Sequence, residues 1–120
     1  MRFVVAILLV LSLDAQEKQE KKGPPPDPTN LKVLKLTKGS EVIQVMRTFT
    51  AGLGVQCSYC HVQGNFASDD NPKKDVARHM IEMTAKINAN FPDGKMRVTC
   101  YTCHRGEAEP KTAPEPKPAL

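Results

Sequence analysis

The chain has 120 residues, which is enough for one domain at most. Lysine and arginine number 17 against 13 aspartates and glutamates, so the formal net charge is +4. This small excess, without a basic stripe interleaved with aromatic residues, does not indicate a nucleic-acid-binding protein. The chain also lacks tryptophan, and a short chain with few large apolar side chains builds only a marginal core by itself.

The first fifteen residues have the pattern of a secretory signal peptide. Arg2 provides the positive charge, an apolar run follows over 3–13, and Leu-Asp-Ala at 13–15 is a plausible cleavage site. The run is much shorter than the roughly 20 residues that a membrane span needs. We therefore expect a periplasmic or otherwise extracytoplasmic protein. An uncleaved membrane anchor is the alternative.

Two segments of low apolar content flank the central part of the chain. Residues 16–28 are first charged and then rich in proline, and residues 107–120 are again rich in proline. Such segments cannot bury enough apolar surface to fold. The sequence therefore predicts a linker over 16–28, a folded domain over 29–106 and a disordered tail over 107–120.

All four cysteines fall within two copies of one motif: the first is CSYCH at 57–61 and the second is CYTCH at 100–104. The Cys-x-x-Cys-His pattern is typical of c-type haem attachment. The two thiols bond to the vinyl groups of the porphyrin, and the histidine becomes the proximal iron ligand. The sequence therefore predicts two covalently attached haem c groups. Their predicted protein partners are Cys57, Cys60 and His61 for the first haem, and Cys100, Cys103 and His104 for the second.

Three other uses of the cysteines are weaker alternatives. A lone Cys-x-x-Cys pair can be a thioredoxin-like redox site, four cysteines can bind zinc, and cysteines can form disulfides. None of these requires a histidine directly after both pairs.

Helical periodicity predicts a first helix from Glu41 to about Ala51. Ser40 is a good N-cap residue, and Gly52 and Gly54 are expected to end the helix before the first motif. One face of this helix is apolar, formed by Val42, Val45, Met46 and Phe49.

A second helix is predicted from Pro72 to about Asn90, with Asp70 or Asn71 as the N-cap. Its inner face comprises Val76, Ala77, Met80, Met83 and Ile87. The order helix, loop, Cys-x-x-Cys-His thus occurs twice. We expect a mainly α, small two-haem c-type cytochrome domain with little or no sheet, in which the haems provide much of the apolar interior.

Each haem iron has a further position for a distal ligand. Met46 precedes the first motif by part of a helix and a glycine-rich turn, and is the candidate there. For the second haem the candidates are His79, Met80 and Met83. Periodicity favours Met80, which continues the apolar face, over His79, which falls on the more polar side.

Five segments together resemble one half of the cytochrome c subunit of photosynthetic reaction centres. They are 41–47, 54–57, 66–70, 77–80 and 98–106, and the likeness runs over residues 30–106. In that family each haem follows a helix that carries its methionine ligand, so the resemblance implies Met46 and Met80 as the distal ligands. The family's subunit has four haems and this chain has motifs for two. From this departure from the family pattern we expect a free-standing two-haem relative.

We expect an exported electron carrier, not an enzyme. Its expected partners are redox proteins: a quinol-oxidising complex, a terminal oxidase or a reaction centre. Contact with nucleic acid is not expected, and contact with a membrane is expected only through a partner or an uncleaved signal. The alternatives are a small dihaem peroxidase or reductase with one open iron, and a fixed subunit of a larger electron-transfer complex.

Overall fold

The computed structural model describes residues 23–114, and over this range the chain is helical with no β-strand. The helices are α1 (Gly39–Leu53), α2 (Lys73–Asn88) and α3 (Cys100–His104), with a short 3₁₀ turn at Cys57–Tyr59. The mainly α fold class is confirmed. The predicted signal peptide at 1–15 and much of the predicted linker lie outside the described residues.

Helix α1 begins earlier than predicted, and its cap comes from elsewhere in the chain. The helix starts at Gly39, so Ser40 lies inside its first turn and the prediction of Ser40 as the N-cap is wrong. The Gly39 N–H instead donates to Oδ1 of Asp27 at 3.2 Å. A carboxylate at this end also complements the helix dipole. The proline-rich segment around Asp27 thus supplies the hydrogen-bond acceptor at the helix N-terminus that was predicted to come from Ser40.

Helix α1 also ends later than predicted. Gly52 lies within the helix, and the chain leaves it at Gly54, whose φ of 63° is left-handed. Only Gly54 therefore breaks the helix as predicted.

Helix α2 agrees with the prediction to within two residues at each end. It starts at Lys73, whose N–H donates to the side-chain oxygen of Asn71 at 3.0 Å. It ends at Asn88, and turn hydrogen bonds continue to Phe91. Differences of one or two residues between predicted and observed boundaries are usual where a helix continues into a turn.

The end of α1 packs against α3 through a glycine contact. Gly52 is buried, and its carbonyl accepts a hydrogen bond from the N–H of Gly106 at 2.9 Å. A Cβ atom on Gly52 would lie 3.0 Å from the Cβ of Cys100 and 3.1 Å from the N of Tyr101. The absence of a side chain at Gly52 therefore lets the first helix approach the second motif closely.

The described polypeptide has no buried hydrophobic side chain between residues 23 and 114. Instead, one face of α2 presents exposed apolar side chains at helical spacing. This apolar stripe consists of Val76, Met80, Met83 and Ile87. Because exposed apolar area of this kind is costly in water, the stripe calls for a cover that residues 23–114 do not supply.

Asn88 joins the end of α2 to the segment that leads into the second motif. Its side-chain amide donates to the carbonyl of Val98 at 2.7 Å. Its side-chain oxygen accepts from the N–H groups of Arg97 and Val98, each at 2.9 Å. Three hydrogen bonds to the Asn88 side chain thus fix the segment that precedes Cys100.

Replacing this side chain should destabilise the domain. We expect Asn88→Ala to lower the free energy of unfolding by about 2 kcal/mol, since it removes three hydrogen bonds, two of them partly buried. Denaturant unfolding of the haem-loaded protein measures the change. Asn90→Ala is the control, because the side-chain amide of Asn90 donates to the carbonyl of Lys86 in its own exposed turn. Equal losses in the two variants would contradict the role given to Asn88.

Candidate haem sites

Each Cys-x-x-Cys-His motif forms one helical turn in the structure. In the first, the N–H groups of Cys60 and His61 both donate to the carbonyl of Cys57, at 3.3 and 3.0 Å. The second is α3 itself, Cys100–His104. Residues three and four apart on a helical turn lie on the same side. In each motif the two cysteines and the histidine therefore face one side of the turn.

The two histidines make the same hydrogen bond. Nδ1 of His61 lies 3.0 Å from the carbonyl oxygen of Phe66, and Nδ1 of His104 lies 3.0 Å from that of Glu107. A carbonyl can only accept, so Nδ1 carries the proton and Nε2 keeps its lone pair. Metal-binding histidines are commonly held in this way, with the other ring nitrogen bonded to a backbone carbonyl. In both histidines Nε2 is thus the ring nitrogen whose lone pair is available to a metal ion.

The alternative uses of the cysteines find no support in this arrangement. All four are free thiols, so no disulfide forms among them. Burial raises the pKa of Cys60 and of Cys100, which is the opposite of the lowered pKa that activates a redox dithiol. Within residues 23–114, no three His, Cys, Asp or Glu side chains converge as a metal site.

The candidate distal ligands lie on the two long helices and not in the turns. Met46 is half-buried on α1. Met80 and Met83 are both on the apolar stripe of α2, and His79 lines a shallow groove beside it. Met96, close to the second motif, is 76% exposed. The structure thus places Met80 and Met83 on one face, and the prediction of Met80 as the ligand stays a prediction.

The loop after the first motif is held by Lys74, which the sequence analysis did not identify. Its ammonium group donates to three successive carbonyls, those of Phe66, Ala67 and Ser68, at 3.0, 2.9 and 2.6 Å. It also lies 3.2 Å from Oδ1 of Asp69. Nothing in the sequence pattern separates Lys74 from its neighbour Lys73, so only the fold reveals this role.

Asp69 connects three parts of the domain. Its carboxylate pairs with Arg78 on α2 at 2.7 Å and with Lys32 in the entry segment at 2.6 Å. It also accepts a hydrogen bond from Asn30 at 3.0 Å. These hydrogen bonds, with that from Arg78 the strongest influence, hold the pKa of Asp69 well below its usual range. Asp69 thus ties the entry segment and α2 to the loop of the first motif.

The lowered pKa of Asp69 makes its contribution to stability depend on pH. The carboxylate is bound in its ionised form, so its stabilisation is present above the ordinary aspartate pKa of about 3.9 and is lost as the pH falls below it. Asp69→Asn should therefore lower the thermal midpoint at pH 6, and the gap from the wild type should narrow toward pH 3. Because a third of the side chain is exposed, the gap should also shrink at high salt. A gap that does not depend on pH would contradict the ionic role.

Ordered contacts extend on both sides of the predicted domain of residues 29–106. On the N-terminal side, a Cβ atom on Gly39 would collide with the carbonyl of Pro26. On the C-terminal side, the N–H of Lys111 donates to the carbonyl of Cys103 at 2.8 Å. Parts of the predicted linker and tail therefore rest on α1 and on the second motif.

Two Cys-x-x-Cys-His turns in a small helical domain, each with a histidine held through Nδ1, define a c-type cytochrome domain. The sequence model of the family described as "Photosynthetic reaction centre cytochrome C subunit" matches residues 10–116. The chain therefore belongs to this family, as the resemblance predicted.

Individual relatives agree with the family match. The chain is 41% identical over 96 residues to the photosynthetic reaction center cytochrome c subunit of Thermochromatium tepidum, covering 73% of this chain and 24% of that protein. It is 40% identical over 86 residues to the subunit of the same name from Rubrivivax gelatinosus, covering 68% and 23%. Cytochrome c-554 of Chloroflexus aurantiacus is 38% identical over 85 residues, covering 66% and 20%. The chain thus spans about a quarter or less of the length of these relatives.

None of the helices that the structure describes is long and apolar enough to span a membrane.

Proposed function

We propose that this chain is an exported electron carrier with two covalently attached haem c groups. Cys57 and Cys60 attach the first haem, and Cys100 and Cys103 attach the second. The observation that carries the proposal is the repeated turn in which both thiols and the histidine face one side. The equal 3.0 Å hydrogen bonds from Nδ1 of His61 and His104 support it in both copies.

The residues of each site have separate tasks. The thiols of each motif would attach a haem, and Nε2 of His61 or His104 would bind its iron. Met46 and Met80 would be the second protein ligands, and histidine–methionine ligation favours a higher reduction potential than two histidines do. When bound, the haem iron supplies reversible one-electron transfer. The protein's part would be to hold the residues that bind the iron.

Haem binding also accounts for the apolar stripe of α2. Val76, Met80, Met83 and Ile87 are exposed in the polypeptide alone and have the character of a surface that covers a porphyrin face. The close contact of Gly52 with Cys100 brings the helix of Met46 to the second motif. This contact favours two haems that lie near each other, so that an electron can pass between them inside the domain.

The proposed partners are other redox proteins outside the cytoplasm. The signal-like residues 1–15 support export. Among a quinol-oxidising complex, a terminal oxidase and a reaction centre, the names of the relatives favour a reaction centre as one partner.

Haem stoichiometry is the test of this proposal. The secreted wild-type protein should carry two haems by intact mass and by pyridine haemochrome. Replacing Cys57 and Cys60 by alanine should leave one haem, and so should replacing Cys100 and Cys103. The two variants are matched controls for each other, and Ser58→Ala within the first motif should retain both haems. A wild-type protein that carries one haem, or none, would contradict the proposal.

A fixed subunit of a larger complex is the second candidate, favoured because two of the relatives are named as reaction-centre subunits. Purification at native expression level separates the two. A carrier elutes alone, whereas a subunit elutes with its complex.

A further inference from the structure

The carbonyl of Phe66 accepts two hydrogen bonds at once. One comes from Nδ1 of His61 at 3.0 Å, and the other comes from the ammonium group of Lys74, also at 3.0 Å. A backbone carbonyl has two lone pairs, so both bonds can form together. The Phe66 carbonyl oxygen therefore links the ammonium group of Lys74 to the imidazole ring of His61.

Lys74 is held firmly in this position. Its side chain is only 11% exposed, although lysine is normally among the most exposed residues. The same ammonium group bonds the carbonyls of Ala67 and Ser68 and pairs with Asp69. Asp69 is itself held by Arg78 and Lys32. The cation is thus a built part of the loop and not a mobile surface charge.

A second donor on one carbonyl changes what the first donor experiences. The ammonium group draws electron density toward itself, so the oxygen accepts more weakly from Nδ1–H of His61. In a metal-binding histidine, the group that accepts the hydrogen bond from the other ring N–H influences the basicity of the nitrogen that binds the metal. A weaker acceptor leaves the proton more firmly on Nδ1 and makes Nε2 a poorer electron donor. A poorer donor stabilises the oxidised iron less.

We propose that Lys74 is a positioning residue that raises the reduction potential of the first haem by sharing the Phe66 carbonyl with His61. This inference rests on the proposed function, in which Nε2 of His61 binds the iron of that haem. In this proposal Lys74 influences the haem only through the hydrogen bond of His61. The effect is specific to the first site, because the loop of residues 66–69 follows the first motif.

The test compares Lys74→Met with Lys73→Met in the haem-loaded protein. Lys73 is the matched control: it carries the same charge on the preceding residue, but its ammonium lies over the ring of Tyr59 at 5.2 Å. In the reduced, diamagnetic protein, proton NMR reports the Nδ1–H of His61. Spectroelectrochemical titration reports the two midpoint potentials.

In Lys74→Met, we expect the Nδ1–H resonance of His61 to move downfield, as a stronger hydrogen bond requires, and the first midpoint potential to fall. The Nδ1–H of His104 should stay in place. Lys73→Met should leave the His61 resonance at its wild-type position and lower the first potential less. Lys74→Arg, which keeps a cationic donor, should lie nearer to the wild type than Lys74→Met in both measurements.

An unchanged His61 resonance, with equal falls of potential in Lys74→Met and Lys73→Met, would overturn the proposal. If Lys74→Met does not fold, Lys74→Gln replaces it, and a wild-type resonance and potential in that variant would overturn the proposal equally. Intact mass is measured first on every sample. A wild-type protein without haem on the first motif refutes the proposed function, whereas a loaded first motif with an unresponsive His61 refutes only the role of Lys74.

Discussion

Met46→His should lower the midpoint potential of the first haem by on the order of 0.1 V or more, within the roughly 0.8 V that axial ligands span. Imidazole donates more strongly than a thioether and so stabilises the oxidised iron. Met46 lies half-buried on α1, in the helix that precedes the first motif. Because the cysteines are untouched, both haems should remain attached.

Redox titration with optical spectra measures this change. The near-red absorption band of methionine-bound ferric iron should lose the intensity contributed by the first haem. The midpoint potential of the second haem should change much less. Met96→His is the control, since Met96 is exposed and close in sequence to Cys100. Equal shifts at both haems, or loss of a covalent haem, would show that Met46 is not the distal ligand.

Gly54→Ala should destabilise the domain strongly. Gly54 ends α1 with a φ of 63°, a conformation that costs a residue with a side chain about 1–2 kcal/mol. Its new Cβ would also collide with the carbonyl oxygen of Gly106, two residues after His104. Overpacking of this kind adds about 1–3 kcal/mol. We expect the free energy of unfolding to fall by about 2–5 kcal/mol in total.

Gly64→Ala separates the backbone cost of a positive φ from the cost of the steric clash. Gly64 also has a positive φ, of 80°, but a Cβ there would meet no atom within 4 Å. Gly64→Ala should therefore cost only the backbone term of about 1–2 kcal/mol. Denaturant unfolding of the two haem-loaded variants gives the difference. Equal costs would show that the Gly106 carbonyl does not restrict a side chain at Gly54.

The local features of this protein were determined by the sequence itself. The two Cys-x-x-Cys-His motifs are read directly, and the second helix was predicted to within two residues because periodicity and an Asn-Pro start are local signals. The mainly α class followed from the same signals. The absence of a buried apolar side chain over residues 23–114 agrees with a chain that has no tryptophan and few aromatic residues.

Contacts between distant residues were decided only by the tertiary structure. Ser40 is a favourable N-cap residue type, yet the helix begins at Gly39, and Asp27, twelve positions earlier, accepts the hydrogen bond of the Gly39 N–H because the proline-rich segment returns to α1. Gly52 was expected to break a helix, whereas it stays helical because its missing side chain admits α3.

The same holds for the loop after the first motif. Asn30 and Asp69 are 39 residues apart in sequence, and neither residue type signals its partner. Lys73 and Lys74 are chemically identical and adjacent, and only the path of the loop brings one of them to the Phe66 carbonyl. Periodicity and motif spacing record which residues share a helix face. They carry no information about which carbonyl a long, flexible cation will reach once the chain has folded, because that depends on the packing of segments far apart in sequence.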